Sequence, residues 1–544
     1  MRPFILAPLF ALGLFVLYKA VTIWLIRRRN AQEARRRGCL PPPSLPLKGF
    51  LGFGTLIESV RATKPERGPQ YVVETLNKEL GKDVHTCKVP ISDYELTITR
   101  DPVNVQAMLA TQSYDWDVGQ NRLESWKPLF GPGVFVSRGE SWKHYRALVR
   151  PQFARDQIND LDLIERHVQQ LFKALDQQRD RTKEKEIWTR DLDLYPYFAN
   201  LTLDVNTELL YGYSVHSQNP SERFELPYLP GHAPPDHEHI GHHIHAGKEY
   251  IETRGALWKY RWLLPTREGD RHCEAVQRYA NYFVQLRLTQ GEKYLSSLPR
   301  HLNATQDRFV LLNELARHTQ NPSELRGETL NILLAGRDAS AAFLGWIFYF
   351  LSRHPAVFSK LRSQILELYG PYTASKPITS QSLRSLAHLP YLTAIINETI
   401  RIAPVIPLNE RVALNDTTLP RGGGPDHQSP IFIPKGQQVL IPTYALQQRS
   451  DLWGPDVNQF KPERWENRKF GFEFIPFGGG VRQCLGQQFA RTVAAYVVVR
   501  VCQRFDVFEA VREEGEEETG LRFHHTIENR SGRGTWVRLR LEGV

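Results

Sequence analysis

A glycine-rich segment around one cysteine, Phe477 to Gly486, constrains this chain more than any other feature. It reads F-G-G-G-V-R-Q-C-L-G, and a helical pattern over 487–504 follows at once. Glycine backbone can approach a flat ligand closely and present N–H groups to a thiolate. The adjoining helix N-terminus is expected to lower the pKa of the Cys484 thiol. An isolated Gly-x-Cys-x-Gly turn would more often hold a buried structural cysteine, so the whole segment has to be considered.

The whole segment fits the pattern F-x-x-G-x-R-x-C-x-G at every specified position, and it resembles the haem-binding loop of the cytochromes P450. The resemblance implies that Cys484 is the metal ligand, an axial thiolate on the iron of haem b that donates electron density to it. It also implies that Arg482 pairs with a haem propionate and that Phe477 packs against the cysteine. Gly486 is the last cofactor-binding residue of the motif.

Two further segments resemble cofactor-binding parts of the same family. Trp142 and Arg146 lie four residues apart, which puts both side chains on one face of a predicted helix. The resemblance implies that they reach one haem propionate through the indole N–H and the guanidinium. Without the cysteine segment, Trp142 in the core and Arg146 in solvent would be the ordinary interpretation. Arg411 stands at the family's position for a further propionate contact.

A third segment, Glu398-x-x-Arg401, matches the family's E-x-x-R motif. Such a pair on a helix usually lies at the surface and contributes a few tenths of a kcal/mol. Downstream, Pro462-Glu463-Arg464 resembles the family's P-E-R segment. The resemblance implies that Glu398, Arg401 and Arg464 form a buried charge network with a structural role.

The segment from Ala335 to Ser340 reads A-G-R-D-A-S inside an apolar helical pattern over 330–350. It resembles the family's oxygen-activating helix, which implies that Gly336 makes room for dioxygen and that Asp338 and Ser340 are catalytic, with Asp338 relaying protons. The chain departs from the family where threonine is usual, because Ala339 has no hydroxyl with which to donate a hydrogen bond. Ser340, an ordered water or a substrate hydroxyl could substitute, or the reaction could differ from ordinary hydroxylation.

The residue pattern predicts a mainly α fold with small β-sheets, and the resemblance implies the cytochrome P450 fold. No repeat or low-complexity linker interrupts residues 47–544, so these are expected to form one catalytic domain. The predicted helices lie at 139–176, 190–212, 268–298, 325–352, 355–369 and 390–403, and the predicted strands at 83–100, 431–442 and 535–541.

The N-terminus predicts membrane attachment. Residues 1–26 contain an apolar run broken by Lys19 alone, long enough for a single transmembrane helix. Residues 27–46 form a basic flank and a proline-rich hinge, and the positive charge after the apolar run predicts a cytosolic catalytic domain at the endoplasmic reticulum. A cleaved signal peptide is the alternative, but the charge order and the missing A-x-A-type site disfavour it.

Charge and composition exclude several partners. The net charge is +10, but residues 1–40 carry eight Lys and Arg against one Glu, a net +7, which leaves +3 for the remaining 504 residues. This distribution indicates a membrane signal and no nucleic-acid partner. Five cysteines are too few and scattered for a disulfide framework. Histidines crowd the stretch 232–245, where the spacing favours a solvated loop running into a helix over a metal site. Asn303 begins a glycosylation sequon that a cytosolic domain would not use.

These features predict a haem-thiolate monooxygenase that hydroxylates a lipophilic substrate with O2. No G-x-G-x-x-G or Walker pattern is present, so electrons are expected to come from another protein. The resemblance implies that this donor is an NADPH-cytochrome P450 reductase, expected to dock near Lys143 and Arg150. The sequence T-L-D-V-N-T-E at 202–208 resembles the fungal alkane and fatty-acid hydroxylase branch, and a secondary-metabolite intermediate is also open as substrate. The predicted pocket comprises the 115–135 loop, Leu334, Ala335, the 405–408 turn and 525–527.

Two alternatives from other classes remain at this stage. A haem-thiolate isomerase or dehydratase would use Cys484 without external electrons, and Ala339 is the feature that favours it. A non-catalytic haem-binding membrane protein would need only the fold.

Overall fold

The structure is a computed structural model of the chain. It describes residues 3–49, 54, 57–58, 67–91, 94–153, 160–180, 186–223, 225–291, 309–372, 378, 389–512 and 520–542. Asn303 and its sequon lie outside these ranges. Over the described residues, none of the helices combines the length and the apolar character needed to cross a membrane. The anchor expected over residues 1–26 is therefore not confirmed.

Helices dominate the described chain, as the sequence predicts. They are α1 Pro3–Arg36, α2 Gly68–Leu80, α3 Pro102–Gln106, α4 Gln120–Phe130, α5 Gly139–Val149, α6 Leu161–Asp176, α7 Leu194–Tyr211, α8 Ile240–Leu257, α9 Arg267–Gln290, α10 Leu311–His318, α11 Pro322–Arg353, α12 Pro355–Tyr369, α13 Pro390–Ile402, α14 Thr443–Gln447, α15 Ser450–Trp453 and α16 Gln487–Arg504.

The strands are short. They are β1 Thr86–Ile91, β2 Tyr94–Thr99, β3 Trp116–Asp117, β4 Leu192–Asp193, β5 Asn409–Ala413, β6 Thr417–Gly423, β7 Ser429–Ile433, β8 Gln438–Ile441, β9 Phe505–Ala510, β10 Phe523–His525, β11 Asn529–Ser531 and β12 Trp536–Leu541. The expectation of a mainly α fold with small sheets is confirmed.

The chain divides into two compact units. The first comprises residues 1–58, 72–117 and 409–442. It contains a five-stranded sheet in the order β1-β2-β8-β5-β3 and a separate hairpin of β6 and β7. In that sheet β2 runs parallel to β8, and the other pairs are antiparallel.

The second unit comprises residues 59–71, 118–408 and 443–544, and it holds most of the helices. Its strands form a three-stranded sheet in the order β4-β12-β9 and the hairpin β10–β11. Helix α11 runs through its core, about 48 Å long at 1.5 Å per residue, and packs against α7, α9, α13 and α16. Asn321 accepts a hydrogen bond from the Ser323 amide and so caps the start of α11. Pro355 follows its end, where the residue before a proline disfavours helix.

Three predicted boundaries change for identifiable reasons. The helix predicted over 139–176 is divided, because Pro151 cannot continue α5 and a 3₁₀ turn replaces it. The helix predicted over 268–298 ends as α9 at Gly291, whose φ is +81°. The predicted 115–135 loop contains helix α4, with Pro128 in its last turn.

Candidate active site

The cysteine loop is a tight turn held by its own backbone. The Cys484 amide donates to the Phe477 carbonyl at 3.0 Å, and the Gln483 amide donates to the Gly480 carbonyl at 3.1 Å. Gly478 and Gly480 have φ of +71° and +64°, a region that side chains other than glycine rarely adopt. The turn therefore needs glycines at these positions, and it places Phe477 and Cys484 next to each other as predicted.

The environment of Cys484 corrects one expectation about its pKa. Solvent can reach the Cys484 side chain, but many protein atoms surround its thiol and displace most of the water around it. Desolvation raises the pKa of the thiol, and it outweighs the Gly486 amide and the Arg146 charge, which both lower it. The Gly486 amide, at the start of α16, lowers the pKa as predicted, but desolvation is the larger effect and the net shift of the pKa is upward. A thiol whose pKa is raised by desolvation loses its proton when it coordinates a metal cation.

Cationic side chains gather around a buried tryptophan beside this loop. Trp142 on α5 is buried, and the Arg482 guanidinium carbon lies 4.2 Å from the centre of its ring. The Arg146 guanidinium carbon lies 5.5 Å from the same ring, and its Nη2 donates to the Gln483 carbonyl at 3.0 Å. Arg482 Nη2 donates to the Ser137 carbonyl at 2.9 Å. The structure thus brings together the predicted cofactor-binding residues Trp142, Arg146, Phe477, Arg482, Cys484 and Gly486.

Arg411 lies in the first unit, in the middle of β5. It is buried, and its Nη1 donates to the Asn409 side chain at 3.0 Å and to the Glu410 carbonyl at 2.7 Å. Its predicted contact with a propionate stays a prediction.

Helix α11 carries an accessible apolar stripe in its middle, where most of its side chains are buried. Ile332, Ala335 and Ala339 are partly accessible and stand three and four residues apart, which places them on one helix face. Ser340 is buried and stands about 100° round the helix from Ala339. Ala339, which stands where the family usually has threonine, therefore belongs to the accessible stripe. The hydroxyl of Ser340, the only one in the A-G-R-D-A-S motif, lies on the adjoining helix face. The catalytic role of Ser340 stays a prediction.

Asp338 is held in a buried ion-pair cluster. Its carboxylate lies 2.7 Å from Arg337 Nη1 and 2.7 Å from Lys248 Nζ of α8. Burial opposes ionisation, but the two cations outweigh it and lower the pKa of Asp338 to about 2. In this arrangement Asp338 accepts hydrogen bonds and holds no proton to donate at neutral pH. A proton relay through Asp338, which stays a prediction, would need these ion pairs to open.

No sequence motif predicts the rest of this cluster. Lys248 Nζ also donates to Glu528 Oε1 at 2.7 Å and to the Leu334 carbonyl at 2.8 Å, so its three protons are all engaged. Burial opposes the charge on Lys248, yet Asp338 and Glu528 raise the pKa of its ammonium. Lys248 thus connects α8 to α11 and to the β10–β11 hairpin. These contacts join residues far apart in the sequence, so a short sequence pattern cannot predict them.

Gly336 has a packing role between two helices. A Cβ at this position would lie 2.4 Å from Asn206 Oδ1 of α7. The glycine therefore allows α7 and α11 to approach each other closely. Its role in making room for dioxygen stays a prediction.

The predicted charge network around Glu398 is confirmed. Glu398 and Arg401 are fully buried, and the carboxylate accepts from Arg401 Nε at 2.8 Å and from Arg401 Nη2 at 2.9 Å. Arg464 Nε donates to the same carboxylate at 3.2 Å, Trp465 Nε1 at 2.9 Å and the Lys461 amide at 3.1 Å. Five donors surround one carboxylate, which is how a protein holds a charge in its interior.

The histidine-rich stretch lies where the sequence predicts, in a loop that runs into helix α8 at Ile240. His239 Nδ1 lies 3.0 Å from Asp236 Oδ1, and His243 Nδ1 lies 2.9 Å from His272 Nδ1 of α9. These contacts tie the loop to the start of α8 and to α9.

The donor set around Cys484 fits a haem. A thiol on a glycine turn is a soft ligand for iron, and the guanidiniums of Arg146 and Arg482 match two propionate carboxylates. Trp142 adds a flat apolar wall between them. When bound, haem activates O2, and thiolate donation favours cleavage of the O–O bond. With haem bound, the cysteine loop would hold the sulfur, and Arg146 and Arg482 would neutralise the propionates.

Comparisons with known proteins agree with this geometry. The family model for Cytochrome P450 matches residues 50–526. Cytochrome P450 monooxygenase g430 of Fusarium sp is 39% identical, covering 91% of this chain and 84% of the relative. Cytochrome P450 52A12 of Debaryomyces hansenii is 37% identical, covering 87% of each. Among solved structures, the haem domain of cytochrome P450DA has a TM-score of 0.71 at 18% identity, covering 92% of this chain and 98% of its own, and shows the same fold.

The resemblance inferred from the motifs is therefore confirmed, including the likeness to the fungal branch to which the 52A relatives belong. The fold, the cysteine-ligated haem and the class of enzyme follow from this relationship over most of the chain. The chain belongs to the cytochrome P450 family of haem-thiolate monooxygenases.

Proposed function

We propose that this enzyme hydroxylates a lipophilic substrate, either a fatty acid or alkane-like chain or an intermediate of fungal secondary metabolism. The observation that carries the proposal is the accessible stripe of Ile332, Ala335 and Ala339 on α11, which offers methyl and methylene groups and no polar atom. Such a wall favours an apolar substrate through the hydrophobic effect. We infer that this stripe faces the haem held by Cys484.

The electron donor in this proposal is an NADPH-cytochrome P450 reductase. Lys143 on α5 and Arg150 just after it are exposed, on the helix that also carries Trp142 and Arg146. Exposed basic side chains near the cysteine loop can attract an acidic surface on the reductase. This attraction raises the rate at which the two proteins meet. Charge reversal of both residues should slow reduction of the haem, and an unchanged rate would remove them from the docking surface.

Attachment to the endoplasmic reticulum membrane is the third part of the proposal. On α1, Leu17, Trp24 and Leu25 are exposed, and a basic run follows them. In the second unit, Trp262 and Leu263 are exposed beside basic neighbours. Exposed apolar side chains next to cations are typical of a surface that meets anionic lipid. The catalytic domain would then take its substrate from the bilayer on the cytosolic side.

Binding spectra followed by turnover test the substrate class. The purified holoenzyme is titrated with long-chain fatty acids, alkanes and polyketide- or terpene-type compounds, and each ligand that gives a saturable difference spectrum is incubated with reductase, NADPH and O2. We expect hydroxylated product from at least one aliphatic ligand. Conversion without NADPH would favour the isomerase or dehydratase alternative, which the missing threonine hydroxyl at Ala339 leaves chemically reasonable. Thiolate ligation without turnover of any compound would favour a non-catalytic protein.

A further inference from the structure

Two histidines and one glutamate meet where α8 approaches the β10–β11 hairpin. His245 and Glu249 stand four residues apart on α8 and so share one helix face, with His245 Nε2 3.5 Å from Glu249 Oε1. His524 comes from β10 on the other side. One nitrogen or oxygen from each of the three side chains lies within 4.8 Å of the other two.

This spacing is close to what a tetrahedral metal ion requires. Nitrogen and oxygen ligands lie about 2.0–2.1 Å from Zn²⁺, which sets them about 3.3 Å from each other. The His245–Glu249 pair already has nearly that separation, and Glu249 is exposed, so its side chain can rotate to close the remaining gap. Two imidazoles and a carboxylate form a donor set that Zn²⁺ and neighbouring transition metals accept, with water in the fourth position.

The protonation state of the two imidazoles suits the same role. Burial, with the charges of Arg530 and of neighbouring histidines, lowers the pKa of His524 to about 4. Burial also lowers the pKa of His245, where Arg530 and Arg337 act with it and Glu249 and Asp338 against it. Both rings are therefore neutral at pH 7, and a metal ion has no proton to displace.

We propose that His245, Glu249 and His524 form a binding site for a divalent transition-metal ion such as Zn²⁺, separate from the haem ligand Cys484. The ion would join α8 to the β10–β11 hairpin. Lys248 and Glu528 connect these same two elements, so the ion would reinforce an existing contact between them.

Zinc titration of the haem-loaded enzyme tests the site. The chelator-treated holoenzyme is titrated with Zn²⁺ by calorimetry, and the bound ion is examined by X-ray absorption at the zinc edge, which haem iron does not obscure. The variants are His245→Ala, His524→Ala and Glu249→Gln. His242→Ala is the matched control, because it removes an exposed histidine from the same helix.

We expect one bound Zn²⁺ with nitrogen and oxygen neighbours at about 2.0–2.1 Å. Each of the three variants should weaken its affinity at least about tenfold, and His242→Ala should leave it unchanged. Glu249 is exposed, so its variant keeps the test valid if a histidine variant fails to fold. Unweakened binding in the three variants, loss of binding in His242→Ala, or a sulfur neighbour of the zinc would overturn the proposal.

Discussion

The thiol of Cys484 shows how one residue depends on both the loop and the cofactor. Its surroundings favour the protonated form, because desolvation outweighs the Gly486 amide and the distant charge of Arg146. The loop therefore contributes the position of the thiol, because the Cys484 amide already bonds the Phe477 carbonyl. A bound iron would supply the charge that favours the thiolate.

Replacing Cys484 with Ser should remove thiolate ligation and all hydroxylation, because an alcohol at this position stays protonated and is a harder, weaker ligand for iron. The carbon-monoxide difference spectrum of the reduced protein and the product yield measure the two effects. Cys39→Ala is the control, since Cys39 is buried in the first unit, and it should keep the wild-type spectrum. A thiolate spectrum in Cys484→Ser would refute the assignment.

The hydroxyl of Ser340 is the second prediction for a single residue. If it delivers protons in place of the usual threonine, Ser340→Ala should lower the product formed per NADPH by about tenfold or more, with the electrons recovered as hydrogen peroxide. Adding Ala339→Thr should restore the yield, because it puts a hydroxyl on the accessible stripe of α11. An unchanged yield in Ser340→Ala would exclude Ser340 from proton delivery.

At this scale the sequence predicts those residues that belong to short motifs. Trp142 and Arg146 share a helix, and Arg482 and Cys484 share a loop, so fixed spacing predicts each pair. The meeting of this helix with this loop was predicted only through the resemblance to the cytochrome P450 family. Lys248 could not be predicted, because its partners lie 90 and 280 positions further along the chain and only the tertiary fold brings them to it.

At the scale of elements, the carboxylate of Glu398 joins α13 to the segment that carries Arg464 and Trp465. The exposed pair Glu140–Lys143 has the same i, i+3 spacing and a 2.6 Å contact but lies in solvent. The two pairs differ in burial, and therefore in their effect on stability. Loss of one partner is costly only where water cannot solvate the charge that remains.

Replacing Glu398 with Gln should destabilise the protein by about 3–5 kcal/mol, since Arg401 would remain buried without its counter-charge. Glu140→Gln should change stability by about 0.5 kcal/mol or less. Urea unfolding of the holoenzymes, followed by circular dichroism and haem absorbance, compares the two. Equal stability of both variants would show that the buried network contributes nothing beyond a surface pair.

Sequence patterns locate the long helices well and the short elements poorly. Helix α12 begins and ends where predicted, since Pro355 and Gly370 mark both ends. Helix α4 lies in the predicted 115–135 loop and has only eleven residues, one of them Pro128. Strands such as β10 are three residues long, too short for any alternation to be recognised.

At the scale of the whole molecule, the basic charge is concentrated at one end. Residues 1–40 carry +7 of the total +10, so the rest of the chain is nearly neutral. This distribution is the basis of the proposal that the N-terminus attaches the chain to a membrane.

Deleting residues 1–46 should move the enzyme from the membrane fraction to the soluble fraction while keeping its haem, because the apolar run and the basic flank are lost together. Carbonate extraction of microsomes, with detection of the protein in pellet and supernatant, measures this. The full-length chain should resist extraction. Its complete release by carbonate would contradict an integral N-terminal anchor.

Incorporation of labelled oxygen tests the monooxygenase function most directly. The holoenzyme, an NADPH-cytochrome P450 reductase, NADPH and an aliphatic ligand identified from binding spectra are incubated under ¹⁸O₂, and the product is examined by mass spectrometry. We predict one ¹⁸O atom in each new hydroxyl group and no product without NADPH. Product that forms without NADPH, or whose oxygen comes from water, would contradict hydroxylation by a haem-thiolate monooxygenase.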